Sequence, residues 1–156
     1  CDLVAVGVHD RNIIPDDSFS APSYHTSSDY PSDFFAPKNA RLNGDRFWSP
    51  SSASSQHLQI DLLSLYKICA VATQGGTTSY DARTTKYKLS LSTTMTSWEI
   101  YKESGAEKEF DGNYDKPTVV RNILSGKPTG RYIRFIPTAP WVAWPGLRVE
   151  VFGIRP

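Results

Sequence analysis

The chain reads as an all-β sandwich or barrel, and three features of its sequence say so. Apolar residues recur with a period of two in run after run. Gly, Pro, Ser and Asp punctuate the gaps, and no dozen residues carry the 3.6-residue apolar stripe of an amphipathic helix. At 156 residues, 39% hydrophobic and 21% charged, the chain is sized for a single domain, 1–156, around one core.

The elements follow in order. "LVAVGV" (Leu3–Val8) alternates weakly and is expected as a first strand. In "HLQIDL", Leu58, Ile60 and Leu62 oppose Gln59 and Asp61, and the apolar run "ICAVAT" follows it. "KYKLSLS" puts Tyr87, Leu89 and Leu91 on one face; "SWEIYK" puts Trp98 and Ile100 together; "TVVRNIL" is shorter and less regular. "RYIRFIP" pairs Ile133 with Phe135, and "LRVEVFG" sets Leu147, Val149 and Val151 against Arg148 and Glu150. About eight short strands of this kind form two sheets that bury their inner faces against each other.

The connections are the unusual part. Ser20 to Asn43, Gly44 to Gln56 and Gly75 to Thr85 are long, polar and ring-bearing, and long connections in compact domains usually carry function. "SYHTSSDYPSDFFAP" (Ser23–Pro37) holds Tyr24, Tyr30, Phe34, Phe35 and His25 among residues that break helices and ladders.

Several function classes fall away. The formal net charge is +1, with bases scattered among acids, so no basic stripe marks a nucleic-acid binder. The three histidines and two cysteines have no zinc spacing, and there is no nucleophile elbow, phosphate loop or dinucleotide fingerprint. Adjacent acids such as Asp16 and Asp17 point to opposite sides of an extended chain and read as turn formers. The chain is therefore expected not to be an enzyme. No apolar run approaches membrane-spanning length and no signal peptide is seen; opening at Cys1, the chain reads as a mature or excised form. Cys69, within an apolar run, reads as a small buried hydrophobe.

The strings "SFSAPS", "ARLN", "FWSP", "HLQIDL", "VATQG", "YKLSLS", "FDGNYD", "GRYIRFIP" and "LRVEVFG", in this order and spacing, resemble the discoidin family, also called the coagulation factor V and VIII C-type domain. The resemblance runs from Cys1 to Gly153 and implies a jelly-roll-like, galactose-binding-like β-sandwich of about eight antiparallel strands, with ligand-binding loops at one end. It implies an extracellular or secreted recognition module within a larger protein. It also assigns Phe19, Trp48, Tyr87, Trp98, Tyr132 and Phe135 to packing, and Arg41 and Asp61 to an internal polar framework in which each charge is paired.

Carried over residue by residue, the ligand end holds Tyr24, His25, Tyr30, Phe34 and Phe35, then Ser49, then Thr77, Thr78, Tyr80 and Arg83, with Trp141 closing the group. The rings of Phe34 and Phe35 have an alternative: folding back beneath their loop as a satellite cluster. Three ligand classes are weighed. A glycan suits rings among hydroxyls and balanced charges, with Tyr24, His25, Tyr80, Arg83 and Trp141 as its contacts. A protein or matrix partner is second. An anionic phospholipid surface is third, because Lys38, Arg46, Arg83 and Lys86 are interleaved with Asp29, Asp33, Asp45 and Asp81. Relatives with a structural calcium suggest Asp16, Asp17 and Glu150 as possible oxygen ligands; no other cofactor is implied. Relatives also join an N-terminal Cys to one just after the last strand, but Ile154 stands there. Cys1 is left free or paired with another chain or domain, and a bridge to Cys69 is not expected, since it requires the terminus to reach a central strand.

Overall fold

The computed structural model describes all residues, Cys1 to Pro156. Its strands are β1 (Phe19–Ser20), β2 (Leu58–Gln74), β3 (Lys86–Ser92), β4 (Glu99–Ile100), β5 (Lys102–Glu103), β6 (Ala106–Glu107), β7 (Phe110–Asp111), β8 (Val120–Ile123), β9 (Thr129–Pro137) and β10 (Arg148–Ile154). All the strand pairings are antiparallel.

The two runs "HLQIDL" and "ICAVAT" form one long strand, β2, which belongs to both layers. Its first part pairs with β1 and β9; its last part pairs with β8 and β10. Between them the register with β9 slips from Asp61 to Tyr66, and Leu63 sits at φ 70°. That corner is stapled by Asp61, whose carboxylate accepts from the Leu63 amide (2.8 Å) and bidentately from Arg131 (2.8 and 3.0 Å). Beyond β9 the first layer continues into β3, which carries β4 and β7.

Both ends of β2 therefore point to one pole. Gln74 pairs with Arg148 at the start of β10, and Leu58 pairs with Phe135 near the end of β9. Between the layers lies one core that includes Leu58, Ile60, Tyr87, Leu89, Ile133, Phe135, Val149 and Val151, the residues whose alternation in the sequence marked them as inward-facing, together with Trp48. Phe19 joins it, with the Arg41 guanidinium 4.5 Å above its ring. Arg41 itself is buried and donates to the carbonyls of Lys38, Val8 and Ile14 and to Asp16, so its charge is fully satisfied.

The structure departs from the sequence reading in three places. "LVAVGV" makes a single bridge, Ala5 to Phe152, because the Val8 and His9 amides turn to the buried Glu150 carboxylate (2.9 and 3.2 Å) instead of a neighbouring strand. Trp98 and Tyr132 are half-exposed on the outer face of the first layer, where the Arg134 guanidinium lies 3.8 Å from the Trp98 ring and Arg131 covers Tyr132. They stack with arginine there and take no part in the core.

The third departure is covalent. Cys1 and Cys69 form a disulfide, Cα atoms 5.9 Å apart. After bridging Phe152, the N-terminal arm folds back so that Arg121 of β8 donates to the Asp2 carbonyl. This carries Cys1 to β2 without entering the ladder, so the terminus reaches a central strand.

Candidate functional site

The connections 21–57, 75–85, 112–119 and 138–147 meet at the pole where β2 begins and ends. Their backbones are tied together before any ligand is considered. Trp48 and Leu147 exchange two backbone bonds (3.1 and 2.9 Å), and the Trp48 indole donates to the Ser23 carbonyl (2.9 Å). The His25 amide donates to the Ser49 carbonyl (2.7 Å), and the Ser49 hydroxyl donates to the Pro145 carbonyl (2.7 Å). Arg148, mostly buried, donates to the carbonyls of Gly75, Gly44 and Lys116; burial pulls its guanidinium below the usual arginine range. Gly76 must be glycine here, since a Cβ would stand 2.6 Å from the Phe47 ring.

On this base lies a cleft of about 510 Å³, walled chiefly by His25, Ser49, Ser51, Tyr80, Asp81 and Trp144. That volume is within the roughly 300–1,000 Å³ of small-ligand sites. The rings of Tyr80 and Trp144 are 39% and 44% exposed. His25 stands edge-on to Tyr80 at 6.0 Å, and the Trp144 indole N–H is spent on the Pro50 carbonyl (2.8 Å), which fixes the ring. Asp81 is the one charged wall. One of its oxygens takes the Arg83 Nε–H at 3.0 Å, while the side chain stays 70% exposed. The Tyr80–Asp81 segment is held from behind by Lys116, whose ammonium donates to the Thr78 and Tyr80 carbonyls (2.7 and 2.9 Å).

The structure gathers His25, Ser49 and Tyr80 into the cleft and disperses the other expected contacts. Phe35 is 1% exposed and makes a satellite cluster with Phe47 and Ala82, against which Tyr30 and Phe34 pack. The assignment of Phe35 as a ligand contact is corrected because it is sealed, while half-buried Phe34 and Tyr30 pack against it outside the cleft wall, with Pro31 and Asn39 turning the loop. Ser49, though it borders the cleft, is buried and its hydroxyl is engaged. Thr78 is buried, and Thr77 donates to the Asp45 carbonyl (2.7 Å). Arg83 anchors Asp81 and the Asn113 carbonyl. Tyr24 is exposed but stands outside the cleft wall, and Trp141 lines an adjoining depression.

Trp144 and Ser51 were missed, and Asp81 reads from the sequence only as a countercharge to nearby bases. "PWVAWPG" contains two tryptophans, and only the contact between Arg83 N–H and the Trp144 carbonyl (2.9 Å) shows which one the 75–85 connection meets.

Of the expected calcium ligands, Asp16 and Glu150 are engaged by the protein's own groups. Both Glu150 oxygens take amide protons and one also meets the His9 ring at 2.5 Å, while Asp16 is held by Arg41 and Arg11. Burial opposes Asp16 ionisation, but the hydrogen bonds and charges of these two arginines outweigh it and hold the carboxyl below the usual range. Nowhere do three or more His, Cys, Asp or Glu side chains converge as metal ligands.

The two-layer scaffold thus presents a loop-borne cleft at one pole. The model of the F5/8 type C domain matches residues 23–151. Human contactin-associated protein 1 is 37% identical over 147 residues, covering 88% of this chain and 10% of its own length; human neuropilin-2 is 34% identical over 134 residues, covering 83% and 14%. The chain thus spans about a tenth to a seventh of these relatives. Among solved structures, Dictyostelium discoideum discoidin II aligns with a TM-score of 0.77 at 20% identity, over 97% of this chain and 60% of that one. The family 32 CBM of Clostridium perfringens NanJ, solved in complex with galactose, aligns with a TM-score of 0.58 at 16% identity, over 88% and 96%. The chain belongs to the F5/8 type C, or discoidin, family, whose members are generally non-catalytic binding modules, some of them carried within enzymes.

Proposed function

We propose that this chain is an extracellular recognition module of a larger protein that binds glycans in the cleft between Trp144 and Tyr80. The observation that carries the reading is the convergence of two exposed ring faces with the Asp81 carboxylate, the His25 imidazole and the Ser51 hydroxyl. Flat rings take the apolar face of a sugar, and the polar groups bond its hydroxyls. Support comes from the galactose complex of the NanJ module, which shares the fold. An oxidising compartment is supported by the Cys1–Cys69 disulfide, and membership of a larger protein by the lengths of the relatives.

A glycan array probed with the wild-type domain and with Trp144→Ala tests this. Expected is a signal that Trp144→Ala abolishes with its melting temperature unchanged. Phe35→Ala, in contrast, lowers the melting temperature through a buried cavity of the kind that costs about 3–5 kcal/mol. The second reading is adhesion to a protein partner, favoured by the half-exposed Trp98, Tyr132 and Arg134 on the outer face of β9, residue types that dominate protein interfaces. An array without signal would put that reading first; co-sedimentation with phosphatidylserine vesicles, sensitive to salt, would favour a lipid surface instead.

A further inference from the structure

We propose that the outer face of the first layer is a second docking site, separate from the cleft, for a partner protein that presents a carboxylate among apolar side chains. This rests on the protein-partner reading of that face and not on the glycan reading of the cleft. At the centre of the face stands Arg134, in one row with Gln59 of β2, Ser90 of β3 and Ile100 of β4. Its Nε–H goes to the Gln59 side-chain oxygen (2.9 Å), and its guanidinium carbon lies 3.8 Å from the centre of the Trp98 ring. The two terminal nitrogens have no acceptor in the protein, and no carboxylate pairs with them. The neighbouring cations on this layer are spent: Arg131 on Asp61, Lys88 on Glu107 and Lys86 on Asp111. Arg134 keeps its charge unanswered, and the neighbouring His57 feels it. Burial first, then the Arg134 charge, pull that imidazole below its usual range.

The platform under this fork is fixed in advance. The Trp98 indole N–H donates to the Met95 carbonyl (3.1 Å), and Met95 sits at φ 68°, a region that bulky side chains rarely occupy. The Ser92 hydroxyl holds that turn by accepting the Met95 amide (2.8 Å). Tyr132 stands edge-on to Trp98 at 6.5 Å. Ile136, two residues along β9 from Arg134, shares the face and is half-buried. An arginine already stacked on a pinned ring loses little freedom when it engages a partner, and Trp, Tyr and Arg are the residues that dominate interface energies.

Charge selects the occupant. A carboxylate matches the two free guanidinium nitrogens with a pair of parallel hydrogen bonds. A polyanion needs a row of free cations, and this face offers one. A second copy docked about a two-fold axis at this point would set Arg134 against Arg134. One Asp or Glu flanked by apolar side chains fills the fork and covers Trp98, Tyr132 and Ile136 together.

The test is selection of a random phage-displayed peptide library on the intact domain, followed by calorimetric titration of the enriched peptides against versions with Asp→Asn or Glu→Gln. Expected are peptides sharing an acidic residue with apolar neighbours, bound at least about tenfold more weakly as the amide version. Arg134→Gln should weaken them by a similar factor at an unchanged melting temperature, and Arg134→Lys should restore only part. In the wild-type domain the peptide should shift the Trp98 indole NMR signal and leave that of Trp144 in place, a readout that needs no variant. Enriched peptides that shift Trp98 but carry no acidic residue overturn the carboxylate assignment and leave the protein-partner reading standing. No enriched peptide, or peptides that shift Trp144 alone, overturns both. Dimerisation in sedimentation equilibrium that Arg134→Gln abolishes puts a second copy on the face and overturns the proposal.

Discussion

Lys116→Met should loosen the cleft without unfolding the domain. The Lys116 ammonium bonds two carbonyls, Thr78 at 2.7 Å and Tyr80 at 2.9 Å, and so fixes the segment that presents Tyr80 and Asp81. A hydrogen bond to a charged group contributes roughly 1.5–3 kcal/mol when buried. The second of these is exposed, and the freed carbonyls can turn to water, so the pair together is worth about 2 kcal/mol. That corresponds to about a 30-fold shift in the local opening equilibrium. The ends of the segment stay anchored, because the Gly75 amide still reaches the Lys116 carbonyl (2.9 Å) and the Gly76 amide the Ala82 carbonyl (2.8 Å). Amide hydrogen exchange over residues 78–82 should therefore accelerate by about 10- to 30-fold, while the melting temperature falls by about 4–8 °C, the shift that about 2 kcal/mol gives in a domain of this size. Ligand affinity should fall only to the extent that the open form becomes populated, because only the ordered fraction binds. Unchanged exchange in this segment would refute the pinning role; a drop well beyond about 8 °C in melting temperature, with exchange accelerated throughout the sheet, would show that Lys116 supports the whole fold instead.

The remaining predictions concern the scaffold. Thiol titration of the denatured, unreduced chain should detect no free cysteine, and reduction should lower stability by up to about 4 kcal/mol for a bridge spanning 68 residues; two titratable thiols would contradict the bridge. Asp16 should make stability depend on acid. Its folded-state carboxyl lies below its ordinary value of 3.8, so the stabilisation is fully present above that pH and is lost as pH falls through the folded value. Asp16→Asn should be less stable at neutral pH and show a flatter loss of stability on acidification, read by urea unfolding at several pH values. An unaltered acid profile would mean that the Arg41–Asp16 pairing is energetically idle.

The layers are legible from local pattern alone. Leu58, Ile60 and Leu62, Tyr87, Leu89 and Leu91, and Leu147, Val149 and Val151 face inward because side chains alternate along a strand, and that alternation is written locally. The sequence also singled out the long connections that the structure gathers at one pole, and it required Arg41 to be paired. What it left open was which neighbour each loop residue meets. Phe35 and Trp144 are both rings in proline-broken segments, yet one is sealed beneath Phe47 and Ala82 and the other walls the cleft. Cys69 reads as apolar filler until the N-terminal arm folds across to it. Local patterns fix which way a side chain points relative to its own strand. Contacts between connections far apart in sequence depend on where the strands deliver them, and that is decided only when β2 turns its corner and brings both of its ends to one pole.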